Sequence, residues 1–159
     1  MGNLNLDLPF FFDYLFNPPS MLLYGVWLTI SIAFVAQFLG VLGGFLVALL
    51  RISKKWWLRE LGKLYIWIFR GTPLLVIIVL VYTGVAAADI YKYPDIIFGP
   101  FTISGPMQAA ILALSLHEAA YMAEIFRAAI LAIDKGQFDA ARAVGMSPLK
   151  AMRWIILPQ

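Results

Sequence analysis

An all-α membrane protein of three spanning helices is the fold class this chain predicts, and three observations predict it. Of the 159 residues, 62% are hydrophobic and only 13% charged, with a mean hydropathy of +0.85. Soluble domains carry about 25% charged residues, so a bilayer rather than a larger core is the solvent here. The apolar residues fall into three long runs, and the basic residues cluster beside them. Residues 1–50 hold no Lys or Arg, residues 51–70 hold six, and residues 127–153 hold five. Nucleic-acid contact is the other reading of basic clusters, but the positive-inside rule accounts better for clusters that flank hydrophobic spans. The bilayer is therefore an expected partner and nucleic acid is not. With no cysteine, disulfides, Cys-ligated zinc and iron–sulfur clusters are excluded.

The elements follow in order. Residues 1–17 offer acids (Asp7, Asp13) and aromatics but no basic stretch. A secretory signal needs one, so this reads as an interfacial segment leading into a retained first helix. Asn17-Pro18-Pro19-Ser20 is a break and cap before a first span at about 21–50. That run exceeds the ~20 residues that cross hydrocarbon, so tilt or an interfacial extension is expected. Gly40 and Gly44, with Gly43 beside them, form a small-xxx-small pair suited to close helix packing. Arg51 to Lys63 reads as a cytoplasmic loop. The second span, about 64–88, is interrupted by Phe69-Arg70-Gly71-Thr72-Pro73, where proline removes an amide donor and kinks or breaks the helix. An external loop follows, about 89–105, with Pro94, Gly99, Pro100 and Gly105 as turn formers. The third span, about 106–132, returns the chain to the cytoplasm. The topology is N-out, C-in.

The third span contains His117, Glu118, Glu124 and Arg127. Glu118 lies roughly 18 Å from Pro106 along a helix, near the bilayer centre. A charge there is expected to face protein or a water-filled path. Glu124 and Arg127 are three apart and read as an interfacial ion pair. Glu118 has no opposite charge within a turn, and two readings stay open: a lining of a substrate path, or a proton-shared or helix-bonded structural role. Backbone freed at Gly71-Thr72-Pro73 could supply further polar groups to such a path, since irregular backbone is tolerated where it lines a cavity. His117-Glu118-Ala119-Ala120-Tyr121 falls short of the H-E-x-x-H zinc motif because Tyr121 replaces the second histidine and His117 is the chain's single one. No metal site is expected.

The last segment, 133–159, is polar and punctuated by Gly and Pro. Asp134-Lys135-Gly136-Gln137 turns the chain. From Phe138 to Val144, a short amphipathic helix puts Phe138, Ala141 and Val144 on one side, with Gly145 as its C-cap. Ser147-Pro148 reads as N-cap and first position of a second short helix, carrying Leu149, Met152, Ile155 and Ile156 until Pro158. A helix-turn-helix along the membrane surface results. From composition alone, an amphipathic anchor without a partner fits equally.

Within this segment runs Asp139-Ala140-Ala141, three residues, Gly145, nine residues, then Ile155-Ile156-Leu157-Pro158. The pattern resembles the cytoplasmic EAA motif of bacterial ABC importer permeases, with Asp139 where that family has Glu. More narrowly, Ala120-Tyr121-Met122-Ala123-Glu124-Ile125-Phe126-Arg127 through Gly136-Gln137-Phe138 and Leu157-Pro158-Gln159 is similar to the polar amino-acid (histidine, glutamine, arginine, cystine) permease family. Phe69 to Leu75 is similar to that family's second signature.

The resemblance implies a partial five-helix ABC permease core, multi-pass in the bacterial inner membrane. It implies a permease subunit, not an enzyme, that moves polar amino acids into the cytoplasm by alternating access. Gly136, Gln137, Asp139, Ala140, Ala141, Gly145, Leu157 and Pro158 would dock on a separate ABC ATPase subunit. Arg70, Gly71, Thr72, Pro73, Glu118, Tyr121 and Glu124 would line the substrate path. An identical or homologous permease subunit and an extracytoplasmic amino-acid-binding protein are the other implied partners. No cofactor is expected in this chain: ATP and Mg would be bound by the ATPase, and no G-x-x-x-x-G-K-[ST] loop occurs here. Family members continue past Leu-Pro-Gln with about two more spans. The chain is accordingly expected to be a fragment, a truncated reading frame, or a subunit that does not transport unaided. The alternative is a non-transporting membrane scaffold or permease remnant, and the next stretch of reading frame discriminates the two.

Overall fold

Two long helices lie side by side and organise everything else. The structure, a computed structural model, describes residues 7–99 and 101–159. Residues 1–6 of the interfacial segment and the turn former Pro100 lie outside the described residues. Helix α1 is Leu8–Phe16, capped by Asp7, whose carboxylate accepts from the Phe10 N–H at 3.1 Å. Its aromatic residues are exposed, as suits an interfacial segment. Asn17-Pro18-Pro19 separates it from α2, Ser20–Ile52, a single 33-residue helix. After a short connection come α3, Trp56–Gly71, and α4, Leu74–Ala87, which contains one π-helical turn at Leu80–Gly84. Next are strands β1, Ile96–Phe98, and β2, Phe101–Ile103, then α5, Gly105–Ala132. The chain closes with α6, Lys135–Ala143, and α7, Pro148–Ala151, whose helix runs on through a π turn to Ile156.

Helices α2 and α5 pack through small residues. Ala36, Gly40, Gly44 and Ala48 recur every four residues, and all are buried. Against them lie Ala113, Ala119, Ala120 and Ala123 of α5, also buried. Trp27, Phe34 and Leu46 stay exposed, where lipid solvates them. Between helices in lipid the attraction is van der Waals packing rather than water exclusion, which is why backbones must approach closely. A Cβ on Gly40 would sit 2.7 Å from the Glu118 Cβ, and one on Gly44 would strike Met122 and lie 2.9 Å from the Ala119 carbonyl. The expected close packing at Gly40 and Gly44 is therefore present.

The same contacts fix the topology. Gly40 meets Glu118, Gly44 meets Met122, and Arg51 meets Glu124, so α2 and α5 run parallel. Two parallel neighbours require the intervening chain to return across the same thickness. Helices α2 and α5 are each long and apolar enough to cross a membrane, whereas α3 and α4 pass that test only as a pair bent by 105°. That pair is the chain between them.

Several boundaries differ from the sequence expectations. The cytoplasmic loop expected at Arg51–Lys63 shrinks to Ser53–Lys55, because α3 begins at Trp56 rather than near residue 64. Its early charges are borne on a helix: Lys63 pairs with Glu60 at 2.7 Å, one turn away. Of the kink or break expected near Gly71, the structure has a full break, with Thr72 and Pro73 in extended conformation. The external loop is not free of strand. Ile96–Phe98 pairs antiparallel with Phe101–Ile103, and Gly99 takes φ +56 in the turn. The loop is also tied to α5: the Gly105 N–H donates to Asp95 at 2.8 Å, and Gln108 donates to the Pro94 carbonyl at 2.6 Å.

Candidate functional site

The residues expected on a substrate path do not converge on one space. Two cavities lie near the break between α3 and α4, and they share no lining residue. The first, about 440 Å³, lies between α2, α4 and α5, and its wall includes Gln37, Leu74, His117 and Glu118. The second, about 430 Å³, is lined by Arg51, Lys63, Arg70, Gly71 and Tyr121 along with apolar side chains of α3. Thr72, Pro73 and Glu124 line neither of these two cavities.

Glu124 is spoken for. Its Oε2 accepts from Arg127 Nε and Nη2 at 3.0 and 2.7 Å, and its Oε1 accepts from Arg51 Nε and Nη2 at 3.4 and 3.3 Å. The expected Glu124–Arg127 pair is present, and Arg51 of α2 joins it. That third member was missed, since nothing local relates two residues 73 positions apart. A carboxylate held on both oxygens by guanidinium groups is a clamp between α2 and α5, not a free substrate ligand.

His117 answers a different need. The break at Thr72-Pro73 leaves the last carbonyls of α3 without helical partners. His117 Nδ1 lies 3.0 Å from the Phe69 carbonyl oxygen. That oxygen can only accept, so the imidazole carries its proton on Nδ1 and donates. One turn before, the Tyr65 hydroxyl donates to the Leu116 carbonyl at 2.7 Å. Two side-chain bonds thus moor the broken helix to α5. Replacing His117 by Leu is expected to cost about 1–3 kcal/mol, the penalty for a part-buried carbonyl left unpaired. A thermal melt of the detergent-solubilised chain reads this, and a wild-type melting temperature would refute the mooring role.

Glu118 has its stem wedged against Gly40 and takes part in the first cavity. In the second cavity, the Arg70 guanidinium stands 5.0 Å from the Tyr121 ring centroid. Polar residues at this depth are costly unless they face protein or water, and each of these does face a cavity.

The cytoplasmic segment folds as two short helices. Asp134 caps α6 by accepting from the Gly136 N–H at 2.6 Å, so Asp134 to Gln137 begin the helix rather than forming a separate turn, and α6 starts at Lys135 instead of Phe138. Gly145 takes φ +76, the left-handed conformation open to glycine, and its N–H closes onto the Arg142 carbonyl at 2.9 Å. Ser147 then caps α7, accepting from the Lys150 N–H at 3.4 Å, with Pro148 at the first helical position. Ala141, Ala151 and Ile156 are buried where the two helices meet, while Val144 is 72% exposed because it has already left the helix. Of the expected docking residues, Gly136, Gln137, Asp139, Ala140, Gly145, Leu157 and Pro158 are exposed and Ala141 is not. The Asp139 carboxylate, 3.7 Å from Arg142, is in a loose surface pair that a partner's base could replace. Leu149, Met152 and Leu157 face Phe45 and Leu49 across an apolar groove, which brings the segment against the cytoplasmic end of α2.

The comparisons agree with this architecture. The octopine transport system permease protein of Rhizobium radiobacter is 38% identical over 155 residues, covering 96% of this chain and 61% of that protein. A probable amino-acid ABC transporter permease protein of Bacillus subtilis (strain 168) is 39% identical over 153 residues, covering 92% and 62%. Among solved structures, an amino acid ABC transporter crystallised with histidines superposes with a TM-score of 0.64 at 35% identity, over 88% of this chain and 63% of that one. The inward-facing MetNI methionine ABC transporter gives 0.69 at 26% identity, over 90% and 64%. The chain thus spans a little over three fifths of the length of the relatives it matches. Residues 40–159, from the small-residue stripe of α2 through the α6–α7 segment, match the family described as the binding-protein-dependent transport system inner membrane component. The chain belongs to that family.

Proposed function

We propose that this chain supplies the membrane-spanning permease part of an ATP-driven importer of polar amino acids, coupled through residues 133–159 to a separate ATPase. The observation that carries this is the folded α6–α7 pair, with Gly145 at φ +76 between its helices and Asp139 exposed on the first. An acid on a short, capped helix at the membrane surface suits a groove with a basic residue, and the positive φ at Gly145 sets the angle between the helices. ATP and Mg are bound by the partner ATPase, not by this chain. An identical or homologous permease subunit and an extracytoplasmic binding protein complete the transporter. The octopine and amino-acid names of the relatives support the substrate class.

In this reading the substrate path runs on the Glu118 side of the broken span, where Gln37 and His117 share the cavity. Glu118 takes the substrate ammonium, and the freed backbone near Gly71-Thr72-Pro73 supplies further polar groups. Glu124 serves as the clamp described above.

Two variants of the full-length permease, assembled with its ATPase in proteoliposomes, test the proposal. Gly145→Pro combined with Asp139→Lys is expected to lower ATP-driven uptake at least tenfold, about the rate equivalent of 1.4 kcal/mol, with the melting temperature of the membrane part little changed. Intact ATPase assembly and coupling would remove the loop's role. Glu118→Gln is expected to depress uptake of cationic amino acids while ATPase binding persists. Unchanged uptake of cationic and neutral amino acids would take Glu118 off the path.

A further inference from the structure

The second cavity, between α2, α3 and α5, has three cations and no acid among the residues lining it. Arg51, Lys63 and Arg70 surround it, with Ile66, Trp67 and Tyr121 as its apolar lining. We propose that it is a binding site for an anionic phospholipid of the cytoplasmic leaflet, the phosphate lying among the three cations and the acyl chains along Ile66 and Trp67.

Position argues first. Arg51 sits one residue before the end of α2, beside the basic cluster that marks the cytoplasmic interface. Gly62 lets α3 pass close over it, since a Cβ there would be 3.0 Å from the Arg51 Cγ. The cavity then rises to Tyr121, one helical turn above Glu124. Arg51 and Lys63, at the cytoplasmic end of the cavity, lie at the depth of a lipid headgroup.

Charge argues second. Arg51 is held by Glu124, and Lys63 by Glu60 in a half-exposed pair. Arg70 has no carboxylate partner among the described residues and lies over the Tyr121 ring. A guanidinium over an aromatic ring spends no N–H on a carboxylate, so its donors remain available to a phosphate. Shape argues third. Trp67 is 75% exposed, so the cavity opens sideways along α3 toward the acyl region. A free anion would use the cations alone, whereas a phospholipid uses the cations and the apolar wall together. The site shares no lining residue with the Glu118 cavity and holds whether or not the substrate path is as proposed.

Native mass spectrometry of the full chain, equilibrated in turn with phosphatidylglycerol, phosphatidylcholine and inorganic phosphate, tests the assignment. The expected result is one retained phosphatidylglycerol, with phosphatidylcholine retained far less. Lys63→Gln and Arg70→Gln should each lower phosphatidylglycerol affinity about fivefold, the effect of one basic residue near an anionic surface. Lys150→Gln removes the same charge from α7 and should change affinity less than twofold. Trp67→Ala should weaken the lipid as well. The proposal is overturned if both cavity variants retain phosphatidylglycerol like wild type, if phosphatidylcholine is held equally well, or if millimolar phosphate displaces the lipid, which would make the site one for free anions. Lys63 is exposed on α3, so its variant remains informative even if Arg70→Gln proves unstable.

Discussion

Replacing Gly44 by leucine is expected to separate α2 from α5 and abolish the native fold in the membrane. The Cβ alone would collide with Met122 and lie 2.9 Å from the Ala119 carbonyl and 3.0 Å from the Ala123 amide nitrogen. Two of those three are backbone, which cannot rotate away. The α5 helix must move as a body, and Gly40 and Ala48 lose their contacts with it. Overpacking of a close-packed site typically costs about 1–3 kcal/mol, and a rigid backbone neighbour puts this one at the upper end or beyond. Because lipid gives no hydrophobic reward for keeping the helices together, lost van der Waals contact is not offset elsewhere. Gly25→Ala is the control. Nothing lies within 4 Å of a Cβ there, and alanine is the better helix former by about 0.8–1.0 kcal/mol. Thermal unfolding of the two variants in detergent should therefore diverge in opposite directions from wild type. A Gly44→Leu chain melting within a degree or two of Gly25→Ala would show that α2 and α5 are not held by this stripe.

What could be read in advance was what local chemistry decides. Ser147-Pro148 and Gly145 act within one helical turn, by a hydroxyl acceptor, a fixed φ and a positive φ, and each is found in that role. The Gly40–Gly44 spacing is equally local, because small residues four apart leave one face of a helix bare. Pro73 announces a break, but a missing N–H does not say which way the next helix goes. The 105° bend follows from where α5 offers a surface, and from the His117 and Tyr65 bonds that moor α3 to it. The start of α3 is hidden from a reading of charge alone, because Arg59, Glu60 and Lys63 look like loop. Leu58, Gly62, Tyr65, Ile66 and Phe69 carry the helical period, and Gly62 and Ile66 are its buried positions. The hairpin offered a signal too: three strand-forming residues either side of Gly99-Pro100. The candidate site was legible residue by residue but not as an arrangement. Arg70 and Glu118 are expected on a common path, and only the fold shows them lining different cavities.

The clamp at the other end of the same helix pair sets the second large effect. Glu124→Gln is expected to destabilise the chain by about 1.5–3 kcal/mol, the range for hydrogen bonds to a charged group, and to do so more than either Arg51→Gln or Arg127→Gln. The order follows from the geometry. The glutamine keeps one acceptor oxygen, but two guanidinium groups then face each other across α2 and α5 with no charge between them. Removing Arg51 instead leaves Glu124 held by Arg127 at 2.7 and 3.0 Å, and only the longer bonds at 3.3 and 3.4 Å are lost. The side chains retain 17–30% exposure, so solvent screens part of the repulsion and the full penalty of a buried unpaired charge does not apply. Salt then separates the variants. Mobile anions screen two like charges over about 10 Å at 0.1 M ionic strength and about 3 Å at 1 M. Raising salt should therefore restore part of the stability lost by Glu124→Gln, whereas wild type, whose pairs are attractive, gains nothing or weakens slightly. Melting temperatures of the three variants at low and high salt decide it. If Arg51→Gln proves as damaging as Glu124→Gln, and neither responds to salt, packing of the arginine stem against Gly62 rather than charge holds the cytoplasmic ends of α2 and α5 together.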